Sequence, residues 1–390
     1  MLQAGAGKAL IEIAEELFPL EKFTYCHDSL YCRVIILGDF VFVSLDVTSL
    51  QDYAITAIKE VVQANHNVLS DHIFISVTHT FSAPHTRSQK ALSEASEEVR
   101  QKNQLYLNSL IVAVKTALLL AQNHLQSAHL SCQNTEAFAQ VNRDIELIDG
   151  YWLGKNSHGY SNHTIPVLVI SSISGNIIAM IYSVDVQSAV VEKIADGAIS
   201  SDLMGLTTQK IENELGCVAL FMLGAAADQT PNIQDEKETF EGLEQFSNKL
   251  ALTILSQLRK GKQMNDKPTL TQITVDVEGQ IIPDMKTLKP TKQYHFELNG
   301  KKEVAVGILT VGDFGLVMLK PELASITGKN IQEHSPFPVT MVATMINGGQ
   351  KYMVDKKSYD KCTYEAMNSM FARGSAEKVS KSVIEVLERK

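Results

Sequence analysis

Short apolar runs bounded by turn residues alternate along this chain with longer stretches of helical period. Cys32–Leu37 and Phe40–Leu45 have the character of buried strands, and Gly38-Asp39 between them is a tight hairpin turn signal. Ser49 is placed to cap a helix running to about Asn65. Ile73–Val77 predicts the next strand. Ser88–His124 has a long helical pattern, acidic at its start and basic near Lys115. Val167–Ser171 and Ile177–Val184 predict a second hairpin around Ser174-Gly175-Asn176. Ser201–Leu215 reads as a helix closed by Gly216, and Cys217–Leu223 as a buried strand. Gly224–Asn232 is a loop of small residues, followed by a charged amphipathic helix over Glu236–Arg259 and a polar linker over Lys260–Lys267. Thr269–Leu319 is β-rich. A helix from Pro321, a strand at Val339–Thr344 and helices at Ser358–Phe371 and Ala376–Leu387 complete the pattern.

Strands alternating with helices predict the α/β class: a single large domain over residues 1–390, with mixed sheets, inserted hairpins and flanking helices. The linker near 260–267 could mark an internal boundary, but the elements after it look like more of the same sheet.

The chain has 390 residues, 45% apolar and 20% charged, with a net charge of −9. That is ample material for a core. No basic stripe or dense Lys/Arg run is present, which argues against nucleic acid as a partner. Met1–Ile13 shows no basic leader followed by an apolar core. No apolar run approaches the roughly 20 residues of a membrane helix, and the longest, Leu110–Ala121, is interrupted by Lys115, so no transmembrane segment is expected. Cys26, Cys32, Cys132, Cys217 and Cys362 are scattered and odd in number, with neither zinc-type pairs nor a disulfide framework. A cytoplasmic location is the expectation. Oligomeric state is not legible.

Candidate chemistry gathers at strand ends and small-residue loops. His79 follows the strand Ile73–Val77, where an α/β fold aims side chains into a crevice. It could equally hydrogen-bond its own loop. Asn142-Arg143 precedes a loop. Asp185 and Gln187 are two apart and share a face if their strand continues. Asp228 to Asn232 form a polar cluster that turn residues alone could explain. Glu322 after Pro321 suits the start of a helix. Tyr352 and Tyr364 read equally as aromatics at the edge of a core.

In their order, these clusters resemble one family, the neutral/alkaline non-lysosomal ceramidases and their short bacterial relatives. Leu30–Asp46 is similar to the family's opening hairpin. Thr78-His79-Thr80-Phe81-Ser82-Ala83-Pro84 resembles its Thr-His-Thr-His-Ser-Gly-Pro motif. Ser201-Asp202-Leu203-Met204-Gly205 resembles its Ser-x-Asp-x-x-Gly, and Gly224–Asn232 its Gly-Asp-Val-Ser-Pro-Asn loop. Pro321-Glu322 matches its Pro-Gly-Glu segment. Asn142-Arg143, Asn347–Tyr352 and Tyr364-Glu365 match its Asn-Arg pair, its tyrosine-bearing loop and its Tyr-Glu pair. The chain stops where larger members add an immunoglobulin-like C-terminal domain.

The resemblance implies a metal-dependent hydrolase of an amide or N-acyl bond, acting on a small-molecule N-acyl substrate that need not be ceramide. In the family one zinc is held by two histidines, a glutamate and a tyrosine, with an open position for the attacking water. Carried over, the ligands are His79, Glu322 and Tyr352. The second histidine position falls on Gln187, a poor zinc ligand, for which the carboxylate of Asp185 could substitute. Thr230 stands at the family's catalytic serine. Arg143 and Tyr364 stand where the carbonyl oxygen is contacted. Phe81 replaces a second histidine of the first motif. These departures keep a second reading open, a catalytically degenerate relative that binds a ligand or partner without turnover. A third is an α/β structural or interaction protein with no site.

Overall fold

Gly38-Asp39 closes the expected hairpin: Leu30–Leu37 and Phe40–Leu45 pair antiparallel, with Gly38 at φ 57°. The computed structural model of the chain describes residues 2–233 and 238–390. The hairpin belongs to an eight-stranded sheet. Its strands run from edge to edge as Val218–Leu223, Ile177–Val184, Thr164–Ser172, Gln126–Glu136, Gln3–Ile11, Leu30–Leu37, Phe40–Leu45 and Ile73–Val77. The outermost pair on each side is parallel and the inner neighbours are antiparallel. A second sheet has four strands: Thr269–Gln280, Leu298–Val311, Phe314–Leu319 and Val339–Ala343, the last two parallel.

The two sheets pack face to face. Ile35, Phe42, Leu168, Ile181 and Leu220 share one buried cluster with Leu309, Phe314, Leu316 and Met341. Helices cover both outer faces. Asp52–Asn65, Glu97–Asn123, Asp202–Leu215 and Phe240–Ser256 bury Ile58, Leu110, Met204 and Leu250 on the first sheet. Ser325–Glu333 and Ser375–Leu387 bury Ile331 and Val379 on the second. The result is four layers, helix–sheet–sheet–helix, a mixed α/β architecture. Sheets covered on both faces need apolar side chains on both, so their strands read as continuous apolar runs. Every residue of Phe40–Leu45 is buried.

The strand Gln3–Ile11 carries no such run. Its residues are small because the helix Glu97–Asn123 lies directly on it. A Cβ at Gly5 would come within 2.1 Å of the Ala121 carbonyl oxygen, and one at Gly7 within 2.1 Å of that of Ala117.

Several expected boundaries move, and most moves trace to capping. The long helix expected over Ser88–His124 is two helices, Gln89–Ser93 and Glu97–Asn123. The hydroxyls of Ser88 and Ser96 accept from Ala91 and Val99 and start each one. Ser358–Phe371 likewise divides into Lys356–Asp360 and Tyr364–Met367, capped by Asp355 and Thr363. Ser49 does not cap; that helix starts at Asp52. Of the helix expected over Glu236–Arg259, Phe240–Ser256 forms behind a Thr239 cap, and residues 236–237 lie outside the described residues. The polar segment 260–267 is stitched to the first sheet by two backbone hydrogen bonds between Met264 and Leu130. Glu97–Asn123 is long and apolar enough to cross a membrane by length and composition, and its inner face is packed on the first sheet.

Candidate active site

Three parallel strand pairs bring their carboxyl ends together. Gly224 donates to the Val184 carbonyl, Thr344 to that of Leu223, Ile346 to that of Leu319 and Asn347 to that of Ile75. Ligands bind outside such ends in α/β sheets, and the residues after each strand build the site here.

Val77 ends its strand and His79 follows in the left-handed region at φ 54°. Its loop is over-determined: Thr48 Oγ1 donates to the carbonyls of Thr80 and Ala83, and Phe81 donates to that of Ser188. Such restraint is what holds a strained residue in place. His79 Nδ1 lies 2.6 Å from the Thr48 carbonyl oxygen, which only accepts, so Nδ1 carries the proton. In the neutral imidazole Nε2 then presents a lone pair. It is buried without a hydrogen-bond partner, 3.6 Å from Glu322 Oε2.

Glu322 does not start a helix. Glu322–Leu323 is a two-residue strand paired in parallel with Tyr352–Met353, and the next helix begins at Ser325. Pairing with a strand therefore orients the carboxylate, and it places Tyr352 alongside. The Tyr352 carbonyl accepts from Ser369 Oγ at 2.7 Å.

Gln187 is 2% exposed and joins Glu322 to Arg143. Arg143 Nη1 donates to Gln187 Oε1 at 2.6 Å, and Gln187 Nε2 donates to Glu322 Oε2 at 3.0 Å. A guanidinium only donates, so the amide oxygen must face Arg143 and the NH2 must face Glu322. Arg143 Nε donates to Glu365 Oε1 at 2.7 Å, and its guanidinium lies 5.5 Å from the Tyr352 ring centroid. Burial works against the Arg143 charge, yet Glu365, Tyr352 and Glu322 hold it protonated, above its ordinary value. Burial raises the Tyr352 phenol, and Arg143 opposes that shift.

Tyr364 opens its short helix and packs edge-on against Trp152 at 5.5 Å and Tyr352 at 6.0 Å. Its hydroxyl is 3.1 Å from Asn368 Nδ2. Thr230 lies on the three-residue strand Gln229–Pro231, paired with Val141, beside the strand that carries Arg143.

Asp185 and Gln187 do not share a face. The strand ends at Val184, and the two side chains part. Asp185 Oδ1 accepts from Ala225 N at 2.8 Å, and Oδ2 accepts from Asn162 and Ser325 at 3.2 Å. Burial pushes its carboxyl up to about 7. Asp185 thus braces the loop after Leu223, while Gln187 reaches the His79–Glu322 pair. Sequence reasoning missed Thr48, whose carbonyl sets the His79 tautomer, as well as Asn368 and Asp144. Burial, and then the nearby Glu365 carboxylate, push the Asp144 carboxyl up to about 10. The run Asn142-Arg143-Asp144, polar within a strand, was the available signal.

Among the described residues no group of three or more His, Cys, Asp or Glu gathers as a metal cage. The atoms here that could hold a metal ion are His79 Nε2, the Glu322 carboxylate and the Tyr352 hydroxyl.

This arrangement of layers is similar to the ceramidase fold. Neutral ceramidase from Pseudomonas aeruginosa superposes with a TM-score of 0.75 at 16% identity, over 100% of this chain and 75% of that one. A ceramidase complexed with C2 matches with the same score, identity and coverage. No protein-family model matches the chain, and no curated protein matches its sequence.

Proposed function

We propose that this chain is a metal-dependent hydrolase of an N-acyl amide bond, with one zinc ion as its resident metal. The carrying observation is His79 Nε2, a buried ring nitrogen with no hydrogen-bond partner, 3.6 Å from a glutamate oxygen. That separation is too long for a hydrogen bond, but it suits two ligands each about 2.0–2.2 Å from one ion. The Nδ1 bond to Thr48 fixes the imidazole as metal-ligating histidines are fixed. His79, Glu322 and Tyr352 would hold the ion. Three protein ligands with one open position is the layout of catalytic zinc.

When bound, such an ion supplies Lewis acidity to a carbonyl and lowers the pKa of water. The chain's own residues do the rest. Arg143, locked by Glu365 and Gln187, keeps Nη2 without a hydrogen-bond partner, able to donate to a carbonyl oxygen. Tyr364 presents a second hydroxyl donor from a ring held by Trp152 and Tyr352. Thr230, one strand over, would bring its hydroxyl to the reacting group. The aromatic wall suits an acyl chain, and the substrate need not be ceramide. Five unpaired cysteines favour a reducing, cytoplasmic setting.

A panel of short- and long-chain N-acyl amides, assayed with zinc and with a chelator, tests this reading. Zinc-dependent turnover that is lost in His79→Ala supports it. A folded protein inert under every metal condition overturns it. One observation favours the second reading, a relative that binds without turnover: Gln187 spends its oxygen on Arg143 and turns an N–H toward the site.

A further inference from the structure

A line of side chains in contact runs from a cavity into the candidate site. The cavity, of about 860 Å³, has Asn142, Asp144 and Asp228 in one wall. Asp144 touches Glu365, Glu365 holds Arg143, Arg143 holds Gln187, and Gln187 holds Glu322. Neighbours in a regular strand point to opposite faces, yet Arg143 and Asp144 both reach Glu365. A bulge permits it: Asn142 pairs with Asn156 and Asp144 with Leu153, so the facing strand has one residue too many opposite Arg143. Asn142 Oδ1 and Asn156 Nδ2 pin the Asp144 backbone at 3.0 and 2.8 Å. Glu365 Oε2 and Asp144 Oδ1 are both buried without a hydrogen-bond partner. An ionised carboxylate only accepts, so two of them would leave both oxygens unsatisfied, and burial makes that costly. One proton removes the conflict. The guanidinium pairs with Glu365 at 2.7 Å and keeps the charge there, so the proton falls to Asp144. Burial, Glu365 and Asp228 push the Asp144 carboxyl up, and Arg143 opposes them.

We propose that Asp144 is a positioning residue: as a neutral acid it donates to Glu365 Oε2, and this bond fixes the carboxylate that aims Arg143. With Asp144 on one oxygen and Arg143 Nε on the other, Glu365 cannot turn without breaking a bond. Arg143 is then held at Nε and at Nη1 by two different elements, and Nη2 is left to donate into the crevice. Without the Asp144 donor, Glu365 Oε2 has no partner and the arm behind Arg143 loosens. A carboxamide at position 144 keeps a donor at the same point, whereas a methyl group does not. The role in turnover rests on the hydrolase reading; the hydrogen bond does not.

Infrared difference spectra and NMR of the full chain test the bond without catalysis. At about pH 8.5, above the titration of Asp185, Asp202 and Asp228 and below that of Asp144, wild type minus Asp144→Asn should show the C=O stretch of a protonated carboxylic acid. Glu365→Gln should abolish the same band, because its amide donates and Asp144 then ionises. The Arg143 Nε–H, assigned by its absence in Arg143→Lys, should exchange at the wild-type rate in Asp144→Asn. In Asp144→Ala it should exchange at least about five-fold faster, as loss of one hydrogen bond implies. Asp144→Leu, similar in size to the acid and without a donor, takes its place if Asp144→Ala does not fold. With an N-acyl substrate, Asp144→Ala should lower kcat by about 10–100-fold with little change in KM, and Asp144→Asn should restore it. A difference spectrum with no carboxylic acid band overturns the proposal. So does an Arg143 exchange rate equal in wild type and Asp144→Ala, or an active wild type that Asp144→Ala matches in kcat. If no amide is turned over by any of these proteins, the hydrolase reading fails, and the infrared and NMR results still decide the role of Asp144.

Discussion

Gln187 donates to Glu322 at 3.0 Å across the floor of the crevice, and it does so because its oxygen is already taken by Arg143. The amide thus acts as a spacer with a fixed polarity. It steadies the carboxylate that faces His79, and it fills the place where the family resemblance calls for a second imidazole.

Replacing Gln187 by His should tighten zinc binding, because neutral imidazole ligates zinc and a carboxamide N–H cannot. A gain of at least about ten-fold is expected, the size of changes that ligand-shell substitutions cause. Isothermal titration of zinc into wild type and Gln187→His decides this. Equal affinities would mean that position 187 does not face the metal.

Tyr364→Phe removes the hydroxyl and the hydrogen bond it accepts from Asn368 Nδ2, while the ring keeps its contacts with Trp152 and Tyr352. Loss of one oxyanion donor lowers turnover by about 10²–10³-fold. Steady-state kinetics on an N-acyl substrate should show that drop with only the small fall in melting temperature that one lost hydrogen bond causes. A fall in melting temperature matching the loss of rate would make Tyr364 a packing residue.

Asp228 gives a pH dependence. Its carboxyl is pushed up to about 6 by burial, while its oxygens accept from Ser325 N at 2.8 Å and Asn142 Nδ2 at 3.1 Å. The folded state therefore holds the proton more tightly than the unfolded state. The contribution is fully present below the ordinary carboxylate range and is lost as pH rises through about 6. Each pKa unit is worth about 1.4 kcal/mol. Asp228→Asn mimics the protonated form and should flatten the fall in stability between about pH 4 and 6. Urea unfolding of both proteins across that range measures the slopes, and parallel slopes would remove Asp228 as the source.

Arg33 is buried against two acids. Its Nη1 is 3.1 Å from Asp46, its Nε is 2.8 Å from Glu212, and Lys8 reaches Glu212 at 2.6 Å. Removing one member of a buried ionic network leaves charge unpaired and costs about 3–5 kcal/mol. Arg33→Met should lose that much in chemical denaturation. A loss below about 1 kcal/mol would mean that water reaches the acids on replacement.

How much of this was legible depended on what each residue was selected for. Hairpins with a dedicated turn, Gly38-Asp39 and Ser174-Gly175-Asn176, stood out, as did the Gly216 stop at φ 62°. Strands buried on both faces showed as apolar runs. Gln3–Ile11 did not, because close approach of a helix selects glycine and alanine there. The site was legible as separate clusters whose meeting depends on the tertiary fold. Nothing local distinguishes a glutamate at a helix start from Glu322, oriented by Tyr352 far along the chain. Local spacing put Asp185 beside Gln187, and the strand end separated them.

The crevice draws His79 and Gln187 from the first sheet's strand ends, and Glu322 from the end of the second. Neither half of the chain can assemble it alone. Contacts this distant in sequence form late and slowly. Capacity to bind a ligand there would thus report the final docking of the two sheets, a step that helix content or overall compaction would pass without notice.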